Sequence, residues 1–586
     1  MNNYTLNKGG AEQQKSAPLA ALNRLVPLLK GEGRNMFVAF IAIFVNAVAT
    51  LVGPVIIGYT VDHAIRTGDG QRVLVYTAVL LGVYLIALVC SYVQTMVMGG
   101  VGRRILFRLR NAIFNKLQDL PVAFFNQNKT GDLISRINSD TDKLNQFFSQ
   151  AFMQFIRNFF LITGAGVFLL SLNLRLGSAA LAPALGVLIV SQLISGWVKR
   201  KNLESLQSLG GMSAEIQESL TNFKVIVAFN RLDYFRKKFD GANRKNYSAS
   251  VNAGYANNIF TPIYGLASNL AQLIVVAYAI ALISAGQLTV GLLIGFLLYV
   301  TNFYMPLQQL ASVWSSLQQA LAALDRISEV LAMESDLNVI PSKKDGSSAL
   351  MEFHNVRFGY PDGKEVLKGI SFRLEAGKTY ALVGPTGGGK TTTASLMARL
   401  YDPTEGTVAL DGEDIRSYSP EDRAMKIGFI LQEPFLFTGS LLDNIFYGNA
   451  EYAGRPKEEL LQAITAAGLD GLLKHFSQGL DTQIQTSGDA ISLGQRQLIA
   501  FVRAVLRKPK LLVLDEATAN IDTVTEQLLE EVLRKLPKET TKVVIAHRLN
   551  TIENADEIFF VNGGTVIPAG SFAHAVEMLM SGKRAT

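Results

Sequence analysis

Six stretches of this chain, each twenty residues or longer, run almost without Asp, Glu, Lys or Arg: Met36–Tyr59, Val73–Met98, Phe147–Leu172, Ala179–Val198, Ile259–Ser284 and Leu288–Leu310. No other feature narrows the possible folds as much. A helix needs about 20 apolar residues to cross roughly 30 Å of hydrocarbon. A charge at mid-membrane costs roughly 2.5–3.5 kcal/mol on insertion scales. Arg157 alone breaks the pattern. It reads as a residue facing an inner aqueous cavity or the interface, with substrate contact as the other reading. Buried helices of a soluble protein would need six such runs in one chain, so a six-span membrane domain is expected.

The connections between runs alternate in length and charge. Asp62–Arg72, Asn173–Ser178 and the turn near Gly286 are short, with only Arg66, Arg72 and Arg175 as basic residues. Gly99–Gln146 and Lys199–Asn258 are long and carry many Lys and Arg, including Arg103, Arg104, Lys199, Arg200 and Lys201. The positive-inside rule places the long connections, and with six spans both termini, in the cytoplasm. Their apolar residues fall at helical spacing between charges, so they read as helices continuing out of the membrane. The net charge of +7 is thereby accounted for, and no nucleic-acid partner is expected. Cys90, the single cysteine, lies inside an apolar run and leaves no disulfide framework. Residues 1–20 form a polar tail without the apolar core of a secretory signal.

Past residue 330 the text changes. Residues 331–348 are polar and rich in turn formers, a linker between a membrane domain over 21–330 and a second domain over 349–586. There, short β-rich runs alternate with helical patterns, which predicts an α/β domain. Its strongest motif is the loop Gly384, Pro385, Thr386, Gly387, Gly388, Gly389, Lys390, Thr391, which fits G-x-x-x-x-G-K-[ST]. It follows the apolar strand Tyr380–Val383 and precedes a helix expected over Thr392–Leu400. In that context glycines let backbone N–H groups close on phosphate oxygens, with the helix N-terminus aiding. Lys390 supplies charge to the β- and γ-phosphates, and Thr391 an oxygen to Mg²⁺. A second apolar strand, Leu511–Leu514, ends in Asp515 and Glu516. Asp515 suits Mg²⁺ binding and Glu516 suits general-base work on an attacking water.

With these motifs in order, the chain resembles half-transporters of the ABC (ATP-binding cassette) exporter family over essentially its whole length. Gln432 matches the family's Q-loop, which touches Mg²⁺ and senses the membrane domain. Ile491-Ser492-Leu493-Gly494-Gln495 stands where the family has its LSGGQ signature. Asp522 matches the D-loop, His547 the switch histidine at the γ-phosphate, and Tyr360 the aromatic that stacks on adenine. Thr392 closes the phosphate loop. The run from Phe124 to Arg136 resembles the family's first coupling helix, which docks on the ATPase domain, and Glu218–Phe229 the second.

The resemblance implies a six-helix membrane domain followed by a P-loop ATPase domain, in a bacterial inner or plasma membrane with the ATPase domain cytoplasmic. It implies ATP and Mg²⁺ as ligands, with Glu516, His547 and Gln432 as catalytic residues. It implies two half-transporters that share two ATP sites, and export of an amphipathic or hydrophobic molecule (drug, lipid or peptide) by alternating access, in contact with membrane lipids. Import through the same architecture and a soluble-type regulatory ATPase are the alternatives. The sequence departs from the family at the signature, where Leu493 replaces a glycine whose absent side chain permits close approach to phosphate. The run Thr486–Ala490 before it is also short. Such changes recur in heterodimers, so a heterodimer is favoured over a homodimer. Polar and aromatic residues of the last two spans, Tyr264, Asn269, Gln272, Tyr278, Phe296, Tyr299, Asn302, Phe303 and Gln308, are candidates to line a substrate cavity.

Overall fold

The computed structural model describes residues 4–6, 26–342, 349–361, 363–469, 476, 479–485, 491–515, 523–545, 553, 555–570 and 572–581. They fall into two compact units. One holds residues 26–118 and 131–332; the other holds Tyr4–Leu6, residues 119–130 and those from 333 onward.

The first unit is helical. Its elements are α1 (Gly33–Thr60, extended by a π-turn over Val61–Ile65) and α2 (Gly70–Gln118). After the short α3 (Val122–Gln127), which belongs to the second unit, come α4 (Thr130–Leu172) and α5 (Leu174–Thr221). The short α6 (Phe223–Ala228), α7 (Leu232–Ser284) and α8 (Val290–Leu331) complete it. Six of these are long and apolar enough to cross a membrane. α2 has 49 residues, so at ~1.5 Å per residue it runs about 70 Å, more than twice a hydrocarbon core. The helices continue past their apolar runs, as the helical spacing in the long connections implies.

Small residues let these helices approach. Ala165, Ala180, Ala271 and Ala279 are fully buried, and a side chain on Gly291 of α8 would strike the carbonyl of Gly58 in α1. Close backbone approach replaces the hydrophobic drive that lipid cannot supply. At that crossing Asp62 accepts from Gly291 N at 2.9 Å and from Thr289 Oγ1 at 2.5 Å, capping the first turn of α8. Tyr264, Phe296 and Tyr299, expected as cavity candidates, are buried in helix packing. Tyr299 Oη donates to Leu51 O at 2.5 Å, and its ring stacks on Phe168. Asn269 is exposed; Gln272, Tyr278, Asn302, Phe303 and Gln308 are half-buried. Arg157 is half-buried, and its guanidinium reaches Gln309 Oε1 at 3.4 Å.

The second unit contains β1 (Met351–Gly359), β2 (Glu365–Leu374), β3 (Thr379–Val383), β4 (Glu405–Leu410), β5 (Glu413–Asp414) and β6 (Ile427–Ile430). It continues with β7 (Gly439–Ser440), β8 (Gln483–Ile484), β9 (Leu511–Asp515), β10 (Thr541–Ile545), β11 (Glu557–Asn562) and β12 (Thr565–Pro568). The order β12-β11-β3-β10-β9-β6 forms one sheet, parallel throughout except for β12. All five residues of β9 are buried, as a parallel sheet covered on both faces requires. An antiparallel sheet, β2-β1-β4-β5, stands beside it. The helices are α9 (Lys390–Met397), α10 (Pro420–Lys426), α11 (Leu441–Ile445), α12 (Lys457–Ala466), α13 (Leu493–Leu506), α14 (Thr523–Arg534) and α15 (Phe572–Ser581). The linker is tied to this unit at Ile340, whose N–H donates to Arg416 O at 3.1 Å, and at Asn338, whose carbonyl accepts from Arg399 at 2.7 Å.

Candidate nucleotide site

The loop Gly384–Gly389 leaves β3 at its carboxyl end and runs into α9. Ligands of open parallel sheets bind at that edge. The helix begins at Lys390, two residues before the expected Thr392, because Gly389 caps it with φ +115. Gly384, at φ +148, passes so close to β11 that a Cβ would collide with Val561 O. A Cβ on Gly388 would lie 2.5 Å from the same carbonyl. The glycines are therefore dictated by the neighbouring strand as well as by a phosphate's need for exposed N–H groups.

Lys390 is buried, and its ammonium donates to Gly384 O at 2.9 Å and Pro385 O at 3.1 Å, folded over the loop. A buried cation stays charged only where oxygens surround it, and phosphate oxygens would extend that shell. Thr391 Oγ1 donates to Asp515 Oδ1 at 3.2 Å. β10 separates β3 from β9, so the sheet order brings the two motifs' ends together. A hydroxyl and a carboxylate so placed offer hard oxygen ligands to a divalent cation. Among the described residues no group of three or more His, Cys, Asp and Glu is placed to hold a metal ion, so phosphate oxygens and water would complete such a shell.

Tyr360 Oη lies 3.2 Å from Thr392 Oγ1, which sets its ring beside the phosphate loop. Gln432 is exposed just after β6. Ser492 caps α13 in a capping box: it accepts from Gln495 N at 3.2 Å, while Gln495 Oε1 accepts from Ser492 N at 3.0 Å. Ser492 is exposed, Gly494 buried and Gln495 half-buried. Leu493 occupies the first helical position and is not among the residues with positive φ. No backbone strain follows from the missing glycine; only side-chain bulk at the helix N-terminus does. Glu516, Asp522 and His547, and the run Thr486–Ala490, lie outside the described residues.

Two further residues continue from Tyr360: Tyr401, which lies in no motif, and Asn126, which lies inside the stretch matched to the first coupling helix. Tyr401 is 7% exposed, its ring lies edge-on to Tyr360 at 5.5 Å, and its hydroxyl accepts from Asn126 Nδ2 at 2.6 Å. Burial pushes the Tyr401 hydroxyl's pKa up, so it remains protonated. Asn126 belongs to α3, in the loop between the second and third apolar runs. The stretch matched to the first coupling helix thus splits in two. Phe124–Asn128 join the ATPase unit, whereas Asp132 and Arg136 bind α8. Buried Arg136 pairs with Asp132 at 3.0 Å and Glu329 at 2.7 Å, and Arg326 returns to Asp132 at 2.6 Å. In the second matched stretch, α6 buries only Ile226 and exposes Phe223, Val225, Val227 and Phe229.

Comparison with known proteins agrees with this geometry. Residues 36–307 match the model of the ABC transporter transmembrane region, and residues 367–519 match the ABC transporter model. The ABC transporter ATP-binding protein YknV of Bacillus subtilis is 30% identical over 560 residues, covering 94% of this chain and 92% of its own. A fatty acid ABC transporter ATP-binding/permease protein of Mycobacterium bovis is 31% identical over 85% of this chain and 78% of its own. A multidrug resistance ABC transporter ATP-binding and permease protein of Lactococcus lactis is 28% identical over 95% and 94%.

Proposed function

Because the chain belongs to the ABC transporter family, as an exporter-type transporter driven by ATP, we propose that it exports a hydrophobic or amphipathic molecule as one half of a dimer. The observation that carries the reading is the cluster of buried Lys390, exposed Thr391 and buried Asp515 at the carboxyl edge of the parallel sheet, in a chain that also carries six apolar helices. In this reading the N–H groups of Gly384–Gly389 and the Lys390 ammonium hold the β- and γ-phosphates, with Pro385, Thr386 and Thr392 completing the loop. Thr391, Asp515 and Gln432 would hold Mg²⁺, which would supply positive charge against the phosphate oxygens. Glu516, next after Asp515, takes the proton of the attacking water. His547 orients the γ-phosphate, and Tyr360 stacks on the base.

Ser492, Gly494, Gln495 and Asp522 serve the second subunit's nucleotide. The exposure of Ser492 at a helix N-terminus supports this, since such an end favours anions. Leu493 adds bulk at that end, which favours a partner of different sequence. The exposed apolar residues of α6 support a second subunit that covers them. The ATPase unit lies in the cytoplasm, where ATP is.

Two observations support a hydrophobic cargo. Relatives are named for fatty acids and for multidrug resistance. A cavity of about 480 Å³ near the start of α1 is lined almost wholly by apolar side chains, including Met36, Phe40, Met98 and Met153. The test is ATP-dependent uptake of a fluorescent fatty acid and of a cationic dye into inside-out vesicles. Lys390→Ala should abolish both ATP binding and uptake. Glu516→Gln should retain ATP binding and lower turnover by about 100-fold or more. Uptake that survives Glu516→Gln would sink the reading. Robust turnover by the chain purified alone would remove the heterodimer.

A further inference from the structure

The face formed by Phe124, Gln127, Asn128 and the segment leading to Asp336 holds an extended tripeptide, Tyr4-Thr5-Leu6. Tyr4 is 2% exposed and Leu6 4%, while Thr5 between them faces outward. That alternation is the period of an extended strand. Two side-chain amides bond its backbone. Gln127 Oε1 accepts from Tyr4 N at 2.9 Å. Asn128 reads both polarities of the peptide backbone, donating to Tyr4 O at 2.9 Å and accepting from Leu6 N at 2.9 Å. Its amide also donates to Phe124 O at 2.8 Å, which holds it at the end of α3. Tyr4 sets its ring edge-on to Phe124 at 6.5 Å, and its hydroxyl accepts from Asp336 N at 3.0 Å. Main-chain hydrogen bonds joined to pockets for alternate side chains are how proteins recognise extended peptides.

We propose that this face is a peptide-binding site for an extended segment of the pattern aromatic-x-aliphatic, filled by the chain's own N-terminal segment, and that its filling tunes the nucleotide site. The link is short. α3, gripped at Phe124, Gln127 and Asn128, carries Asn126, which bonds Tyr401 at 2.6 Å. Tyr401 meets Tyr360 at 5.5 Å, and Tyr360 touches Thr392 of the phosphate loop at 3.2 Å. This second half rests on the role given above to Tyr360; the peptide site does not.

The experiment uses the full chain and a variant lacking residues 1–8, both in nanodiscs. The probe is a fluorescein-labelled peptide of sequence MNNYTLNK, followed by anisotropy. The truncated chain should bind it saturably, and the full chain at least tenfold more weakly, because its own segment competes. Replacing the peptide's tyrosine and leucine by alanine, or Gln127→Ala with Asn128→Ala in the truncated chain, should remove binding. Equal binding of a scrambled peptide, or no difference between full and truncated chains, overturns the site. A short bismaleimide between Thr5→Cys and Lys129→Cys, both exposed and neither a partner in the backbone bonds, in a Cys90→Ser background, tests the contact without truncation. An intrachain cross-link is expected; its absence, or cross-linking only between chains, overturns the occupant. For the nucleotide link, truncation should shift the ATP concentration for half-maximal hydrolysis by about threefold or more, and added peptide should restore it. Peptide binding without any such shift overturns the link and leaves the site standing. Loss of all hydrolysis after Lys390→Ala with peptide binding retained shows that the two readings fail separately.

Discussion

Gly384 shows how much one absent side chain can decide. It stands at φ +148 with Val561 O where a Cβ would go, so Gly384→Ala must distort either the loop or β11. The expected result is at least a tenfold loss of affinity for a fluorescent ATP analogue, with the helical unit intact by circular dichroism. Leu493 is the opposite case. It sits at an ordinary helical position, so Leu493→Gly relieves no strain and acts only by clearing space above the helix end. A faster hydrolysis rate in the assembled dimer after Leu493→Gly is the expected sign that the bulk matters. Lys390, Thr391 and Asp515 could be picked out in the sequence because each lies in a short local pattern tied to a strand end. Tyr401 could not, because it lies in no motif and meets Asn126, 275 positions away, only across the folded chain.

Among the elements, the joint of α4 and α8 carries the clearest energetic stake. Arg136 is 1% exposed and bonds Asp132, Glu329 and the carbonyl of Arg326. Arg136 is the fully buried member, while Asp132 is 40% exposed and keeps Arg326, so removing Arg136 costs towards the lower end of the about 3–5 kcal/mol of breaking a buried pair. Arg136→Ala should therefore lower the melting temperature by many degrees, and Arg136→Lys should recover only part, since a point charge cannot replace the fork. The start of α1 is joined to α2 through Glu32, 2% exposed, between Arg104 at 2.8 Å and Arg108 at 2.9 Å. The Arg104 hydrogen bond outweighs burial and lowers the Glu32 pKa from 4.5 to about 2. A depressed carboxylate contributes stability that is full above its ordinary pKa and is lost as pH falls from about 4.5 towards 2. Both arginines are about half exposed, so the contribution falls below the full linkage value. Thermal unfolding from pH 6 to 3 should show a shallower acid-side decline for Glu32→Gln than for the unaltered chain. The apolar runs made the six long helices legible by length and period. The ion pairs that stop them sliding join residues distant in sequence, and charge spacing alone does not pair them.

At the scale of the molecule, the exposed residues of α6 bear on assembly. Around α6, Phe223 and Val227 on one side and Val225 and Phe229 on another leave apolar surface uncovered in the single chain. If a second subunit covers it, Val225→Asp with Phe229→Asp should lower ATP turnover in liposomes several-fold while the monomer's thermal unfolding stays within about a degree. Unchanged turnover would separate this surface from assembly. The amino-acid sequence by itself determined the number of spans, the α/β character of the second unit and the phosphate loop. Hydrocarbon thickness and phosphate geometry impose patterns that neighbouring residues must satisfy together. The resemblance already pointed the coupling stretch at the ATPase domain; only the tertiary structure decided that this stretch divides at Thr130, that Tyr4–Leu6 join the same unit, and that Tyr401 stands between Asn126 and Tyr360. Those choices come from side-chain amides and rings meeting across the folded chain, where no local spacing rule governs who meets whom.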